Sequence, residues 1–95
     1  MIFEWDDDKN RHNIAKHHLS FENAQRVFAD PHHRSVLQGH VDREERWETT
    51  GIIAGLVVAV VVPTPRFREG EEVTRIISAR RATKRERKIF EKEIG

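Results

Sequence analysis

The densest charge in this sequence lies between Arg80 and Lys88, where six cations (Arg80, Arg81, Lys84, Arg85, Arg87 and Lys88) surround one acid, Glu86. Guanidinium groups suit phosphate oxygens, because the planar fork meets two oxygens at once and keeps its charge. Arg80 is the first candidate: it precedes a capped helix, where side chains and free backbone N–H groups converge on anions. A structural ion pair to Glu86 or to an early aspartate is the alternative. Arg46 and Arg75 project from neighbouring strand regions and would complete a phosphate clamp, with ion pairing on the sheet face as the alternative. Strand alternation sets Arg75 and Arg80, five positions apart, on opposite faces unless the strand bends.

Histidine can serve as acid or base near neutral pH. Of six histidines, His17 follows Lys16 at a helix end, where an interaction with the helix dipole is the plainer reading. His12, His18, His32, His33 and His40 read as surface residues. No pair sits at i, i+4 around a catalytic glutamate, so no metal or other cofactor is expected. Trp5 and Trp47 read as core residues rather than platforms for bases.

The elements that must position these groups can be read in order. Ile2–Trp5 is a short apolar strand. Asp6–His18 follows as a helix with three aspartates at its positive end. Ser20 caps a second helix, whose Phe21, Ala24, Val27 and Phe28 share one face and which stops at Asp30-Pro31. Strands are expected at Ser35–Leu37 and Glu45–Ile53, then, after a turn at Gly55, at Leu56–Val62. That last run is β-branched and suits a central strand buried on both faces. Pro63-Thr64-Pro65 should end it, since proline cannot donate to a ladder. Arg66–Glu72 reads as a polar loop turning at Gly70, and Val73–Ala79 as an inner strand. Thr83 and Glu86 form a capping box for a final helix running to about Glu93. The order β-α-α-β-β-β-β-α predicts an α+β fold, a small antiparallel twisted sheet flanked by helices, in a single domain over residues 1–95.

Composition narrows the class further. Ninety-five residues suffice for one small core. The absence of cysteine excludes disulfides and thiolate metal sites. The acidic start MIFEWDDDK does not resemble a secretory signal, and the apolar run Gly51–Val62 is well short of the roughly 20 residues that span a membrane. A cytoplasmic protein without a membrane partner is expected. Net charge is only +1, yet the last third carries ten Lys/Arg against six Asp/Glu, so one side should face a polyanion. A solvated, charge-laced helix is the plainer alternative.

Three fragments of the chain, in order, resemble the BrnT family of ribonuclease toxins. The first is Phe3-Glu4-Trp5-Asp6 with Lys9, Asn13, Lys16-His17, Phe21, Ala24, Val27-Phe28 and Asp30. The second is Glu45-Arg46-Trp47 with Gly51 and Leu56-Val57-Val58. The third and most specific is Arg75-Ile76-Ile77-Ser78-Ala79-Arg80-Arg81-Ala82-Thr83 with Glu86-Arg87. The resemblance implies a RelE-like fold and the toxin role of a type II toxin–antitoxin pair, with cleavage of RNA and inhibition of translation. It also implies a BrnA-type antitoxin whose ribbon-helix-helix domain would make the only contact with operator DNA. Metal-independent RNA cleavage needs a base for the 2′-OH, cations for the charge gathering on phosphate, and an acid for the departing 5′ oxygen. Arg80, Arg46, Arg75 and His17 are the expected catalytic set. Lys16, Arg81, Lys84, Arg85 and Lys88 are expected to follow the RNA backbone rather than read bases. The chain departs from the family pattern at Pro63, near which many relatives carry histidine or tyrosine, and at Phe90, where many carry tyrosine. A non-catalytic module that binds nucleic acid or the antitoxin, acting as corepressor, is the competing expectation.

Overall fold

The computed structural model describes residues 1–95. Its elements run β1 (Phe3–Glu4), α1 (Asp7–His17), α2 (Phe21–Ala24), a 3-10 helix (Gln25–Ala29), β2 (Arg34–Val41), β3 (Glu44–Ile53), β4 (Val57–Arg68), β5 (Glu71–Arg81) and α3 (Lys84–Ile94). The five strands form one sheet in the order β1-β5-β4-β3-β2, which centres the valine-rich β4 as its composition requires. β2 to β5 are antiparallel to their neighbours, but β1 pairs parallel with β5 through Phe3–Thr74 and Glu4–Arg75. The α+β class holds, and the sheet is mixed. A two-residue strand carries no alternation from which its direction can be read.

Local chemistry sets the helix ends. The Asp6 carboxylate accepts from the backbone N–H of Asp8 at 2.8 Å and of Lys9 at 3.1 Å, and His18 closes α1 in the left-handed region. Ser20 caps α2 by accepting from Asn23 N–H at 3.0 Å. The second helix is α-helical for four residues only and tightens into the 3-10 turn. Asp30 ends it in an extended conformation, as a residue before proline must. Its carboxylate then accepts from His32 N–H at 2.9 Å and from Ile52 N–H at 2.8 Å, which ties the turn to β3.

The core lies between this helical layer and one face of the sheet. Leu19, Phe21, Ala24 and Val27 pack on Ile53, Ala59, Val61, Ile76 and Ala79, with Phe3, Trp5 and Phe28 at the margin. Trp5 meets Phe21 edge-on, in keeping with a core role. α3 lies on the opposite face. Phe90 is its one buried residue there, and alternation along β4 places Val58 and Val60 beneath it.

Two expectations about strand ends fail for one reason. β4 does not stop at Pro63 but continues through Pro65 to Arg68, and Arg66–Glu72 is a hairpin rather than a loop. Ladder pairing with β3 ends at Val61, while pairing with β5 goes on to Arg68. The prolines therefore fall where one edge of β4 has no ladder to break.

β1 covers β5 only at Thr74 and Arg75. Farther along that edge a side chain from α1 takes the place of a strand. The Asn13 amide donates to Ala79 O at 2.8 Å and accepts from Ala79 N–H at 3.2 Å, while also donating to Leu19 O at 2.8 Å. Buried backbone groups need such partners, and this one fixes α1 alongside β5.

Candidate active site

Register decides which side chains share a surface. On β4 the core residues Ala59 and Val61 face the helical layer, so Val60, Val62, Thr64 and Arg66 face the other way. Arg80 pairs with Val60 and Ser78 with Val62, but the next pair is Pro63 with Ile76, which leaves Ile77 unopposed. This extra residue is a β-bulge. Beyond it Arg75 pairs with Thr64, so Arg75 and Arg80 lie on the same face, although five positions separate them. On β3, Thr49 and Gly51 pair with Val61 and Ala59, so Arg46, Glu48 and Thr50 also take the face opposite the helical layer. The three arginines singled out from the sequence thus share one side of the sheet, beside α3.

Each has an acidic neighbour. Arg80 makes a two-pronged bond with Glu86, Nη1 to Oε1 at 2.6 Å and Nη2 to Oε2 at 2.9 Å. Glu86 Oε1 also accepts from Thr83 N–H at 2.9 Å, and Thr83 Oγ1 accepts from Glu86 N–H at 3.1 Å, the expected capping box. The first turn of α3 therefore orients Arg80. The bonded guanidinium and the capping N–H hold the Glu86 carboxyl down at about 2, and the same bond raises Arg80 above its ordinary value. Glu48 adds a weaker Coulombic pull on Arg80 from β3.

Arg75 donates from Nη1 to Glu4 Oε2 at 2.6 Å, and Arg68 holds the same carboxylate from Nε at 3.0 Å and Nη2 at 2.7 Å. Arg68, then Arg75, lower the Glu4 carboxyl below its ordinary range. Arg46 is held loosely: Nη2 lies 3.7 Å from Glu44, whose other oxygen contacts Arg66 Nε at 2.5 Å. Arg46 Nη1 and Thr64 Oγ1 are buried with no hydrogen-bond partner.

The remaining sequence candidates divide among three places. Lys16 and His17 line a groove of about 420 Å³ between α1 and β5, with Ile77 and Ser78 as its sheet wall. Ser78 shares Arg80's side of the strand, so this groove borders the arginine face. Arg81 is exposed at the strand end and, paired with Ala59, points toward the helical layer. Lys84, Arg85 and Lys88 gather with Ile89 on a separate surface of α3. The α3 residues that line the cleft against the sheet include Glu86, Phe90 and Glu93, and at helical spacing Lys84 and Lys88 project away from it. Pro63 borders Phe28, Trp47 and Thr74 on the helical side, so a side chain at that position does not reach the arginines.

Sequence reasoning missed Glu48, Thr64 and Ser78 on this face. Glu48 was within reach, since it stands two residues from Arg46 on the same strand. Ser78 was likewise two residues from Arg80 on its strand, whereas Thr64 was hidden by the expected strand end at Pro63.

Comparison with known proteins agrees with this architecture. The chain resembles a crystal structure described as the Brucella abortus ribonuclease toxin, BrnT, with a TM-score of 0.62 and 24% identity, over 88% of this chain and 100% of that one. At that identity the likeness is one of fold. No curated protein matches the chain. The family model that matches residues 5–86 is described as the ribonuclease toxin, BrnT, of type II toxin–antitoxin systems. Most of the chain, from α1 through β5 to the start of α3, lies inside that match, and the chain belongs to the BrnT ribonuclease toxin family.

Proposed function

We propose that this chain is a metal-independent endoribonuclease that inhibits translation by cutting transcripts and is neutralised by a BrnA-type antitoxin, through which alone it meets operator DNA. The observation that carries this reading is that Arg46 and Arg80, by strand register, and Arg75, by the bulge at Ile77, share one face of the sheet. Guanidinium groups from two strands can flank one phosphodiester and take up charge on its oxygens without a metal ion. Arg80 is the central cation, held in aim by Glu86. Arg46, whose one ion-pair contact is 3.7 Å long, is the cation of this face least committed to a carboxylate. His17, in the α1 groove, is the acid–base group of this reading, and the carboxylate of Glu48 is a second candidate for that role. Family membership supports the same chemistry.

Incubation of purified protein with RNA, with and without EDTA, tests the proposal. Cleavage is expected in both, and Arg80→Ala should reduce it by about 100-fold or more. Transcripts left whole by the isolated protein, alone and with ribosomes, would reject it. A second reading, a corepressor that binds without cutting, is favoured by the carboxylates already engaging Arg75 and Arg80. It expects a salt-sensitive gel shift, no cleavage, and no growth arrest on expression without antitoxin.

A further inference from the structure

The cations on the arginine face have carboxylate partners, whereas those of the α1 groove do not. Lys9 and Lys16 line this groove with His12 and His17, and neither lysine makes an ion pair. The one acid in the groove, Asp8, is engaged by Arg11 on its own helix. Lys9, His12 and Lys16 recur at helical spacing, so one stripe of α1 turns toward Ser78, the residue that also borders the arginine face. At about 1.5 Å per residue the stripe from Lys9 to Lys16 is roughly 10 Å long. That length can address consecutive phosphates of a strand, and of the nearby acids Asp6 exerts only a Coulombic pull on Lys9, with no ion pair formed.

We infer that the α1 groove is a subsite for the RNA backbone, in which Lys9, His12 and Lys16 hold phosphates flanking the one at Arg80. The strand would then leave the arginine face along α1 rather than across the lysines of α3. The inference rests on the RNA-cleaving reading above and adds to it a path and two residues, Lys9 and His12. All three side chains are exposed, so replacing them leaves the core and the Asn13 bonds intact.

The test measures binding of a 2′-O-methyl oligoribonucleotide, which cannot be cut, to the full-length chain over a range of salt concentrations. Each phosphate contact to a single strand contributes about 0.7 to the slope of log affinity against log salt. Lys9→Gln/Lys16→Gln should therefore flatten the slope by about 1.4 and weaken binding roughly fivefold or more at low salt. Adding His12→Gln should weaken it further. Lys84→Gln/Lys88→Gln, on the outer side of α3, should leave the slope unchanged. An unaltered slope in the α1 variant overturns the inference, as does an equal loss in both pairs, which would mean diffuse attraction. Failure of the parent protein to bind the oligonucleotide at any salt concentration would sink the RNA reading as well, and so is distinguishable from failure of the groove alone.

Discussion

Arg80 is held by the same carboxylate that caps the helix following it, so one residue, Glu86, couples the candidate site to the stability of α3. Its carboxyl sits at about 2 in the folded chain against an ordinary 4.5. The sign follows: the pair contributes fully above about 4.5 and is lost as pH falls toward 2. Glu86→Gln should thus lower the melting temperature at neutral pH and flatten the loss of stability between pH 4.5 and 2. The pair is about a third exposed, which holds its worth to about 1 kcal/mol. Glu4, lowered by Arg68 and Arg75, adds in the same direction. Asn13 is the other residue on which much depends. Asn13→Leu strips partners from both the N–H and the C=O of Ala79 and should cost roughly 3 kcal/mol in urea unfolding. A loss under 1 kcal/mol would mean that water or a shifted α1 replaces the amide.

At the scale of elements, the 3-10 turn packs unusually close to β3. A Cβ built on Gly51 would lie 2.8 Å from Val27 Cγ1, 3.0 Å from Val27 O and 3.2 Å from His33 Cβ. The backbone oxygen cannot move without the turn that Asp30 ties to Ile52. Gly51→Ala should therefore cost about 1–3 kcal/mol by overpacking, read from the shift in denaturant midpoint. A neutral outcome would show that the turn is free to slide. The same close packing explains why glycine occurs here in the middle of a strand, where its flexibility is otherwise a disadvantage. The bulge at Ile77 is the element-scale feature that matters most for chemistry, since one unpaired residue moves Arg75 from the core side to the arginine side.

The whole molecule has a radius of gyration of 13.1 Å, as compact as a chain of this length should be. None of its helices is long and apolar enough to cross a membrane. Its surface leaves Val36, Leu37 and Val41 exposed along the edge strand β2, and Ile89 exposed on α3, so a neutralising partner has apolar area to cover. A BrnA-type antitoxin at about a hundredfold excess over its Kd should stabilise the chain by about 2.7 kcal/mol. Thermal unfolding with and without antitoxin checks this, and an unchanged melting temperature would count against that partner. The charge is segregated at this scale too: the cation-rich last third supplies both β5 and α3. The fold points Arg75 and Arg80 toward one side of the sheet and Lys84 and Lys88 away from it.

Residue types and short-range patterns were enough to set the α+β class, the caps at Ser20 and Thr83 and the central valine strand, because each depends on neighbours within a turn or a strand. The family came from the resemblance of three ordered fragments. The choice of Arg46, Arg75 and Arg80 also came from the sequence. Their common surface did not. Whether Arg75 faces the core or the arginine side depends on the register between β4 and β5, and one bulged residue reverses the answer that alternation gives. Likewise Pro63 and Pro65 read as a stop until the sheet shows that β4 has no partner on one edge there. Register between strands is a property of the assembled sheet, so only the tertiary structure could decide which guanidinium groups share a face.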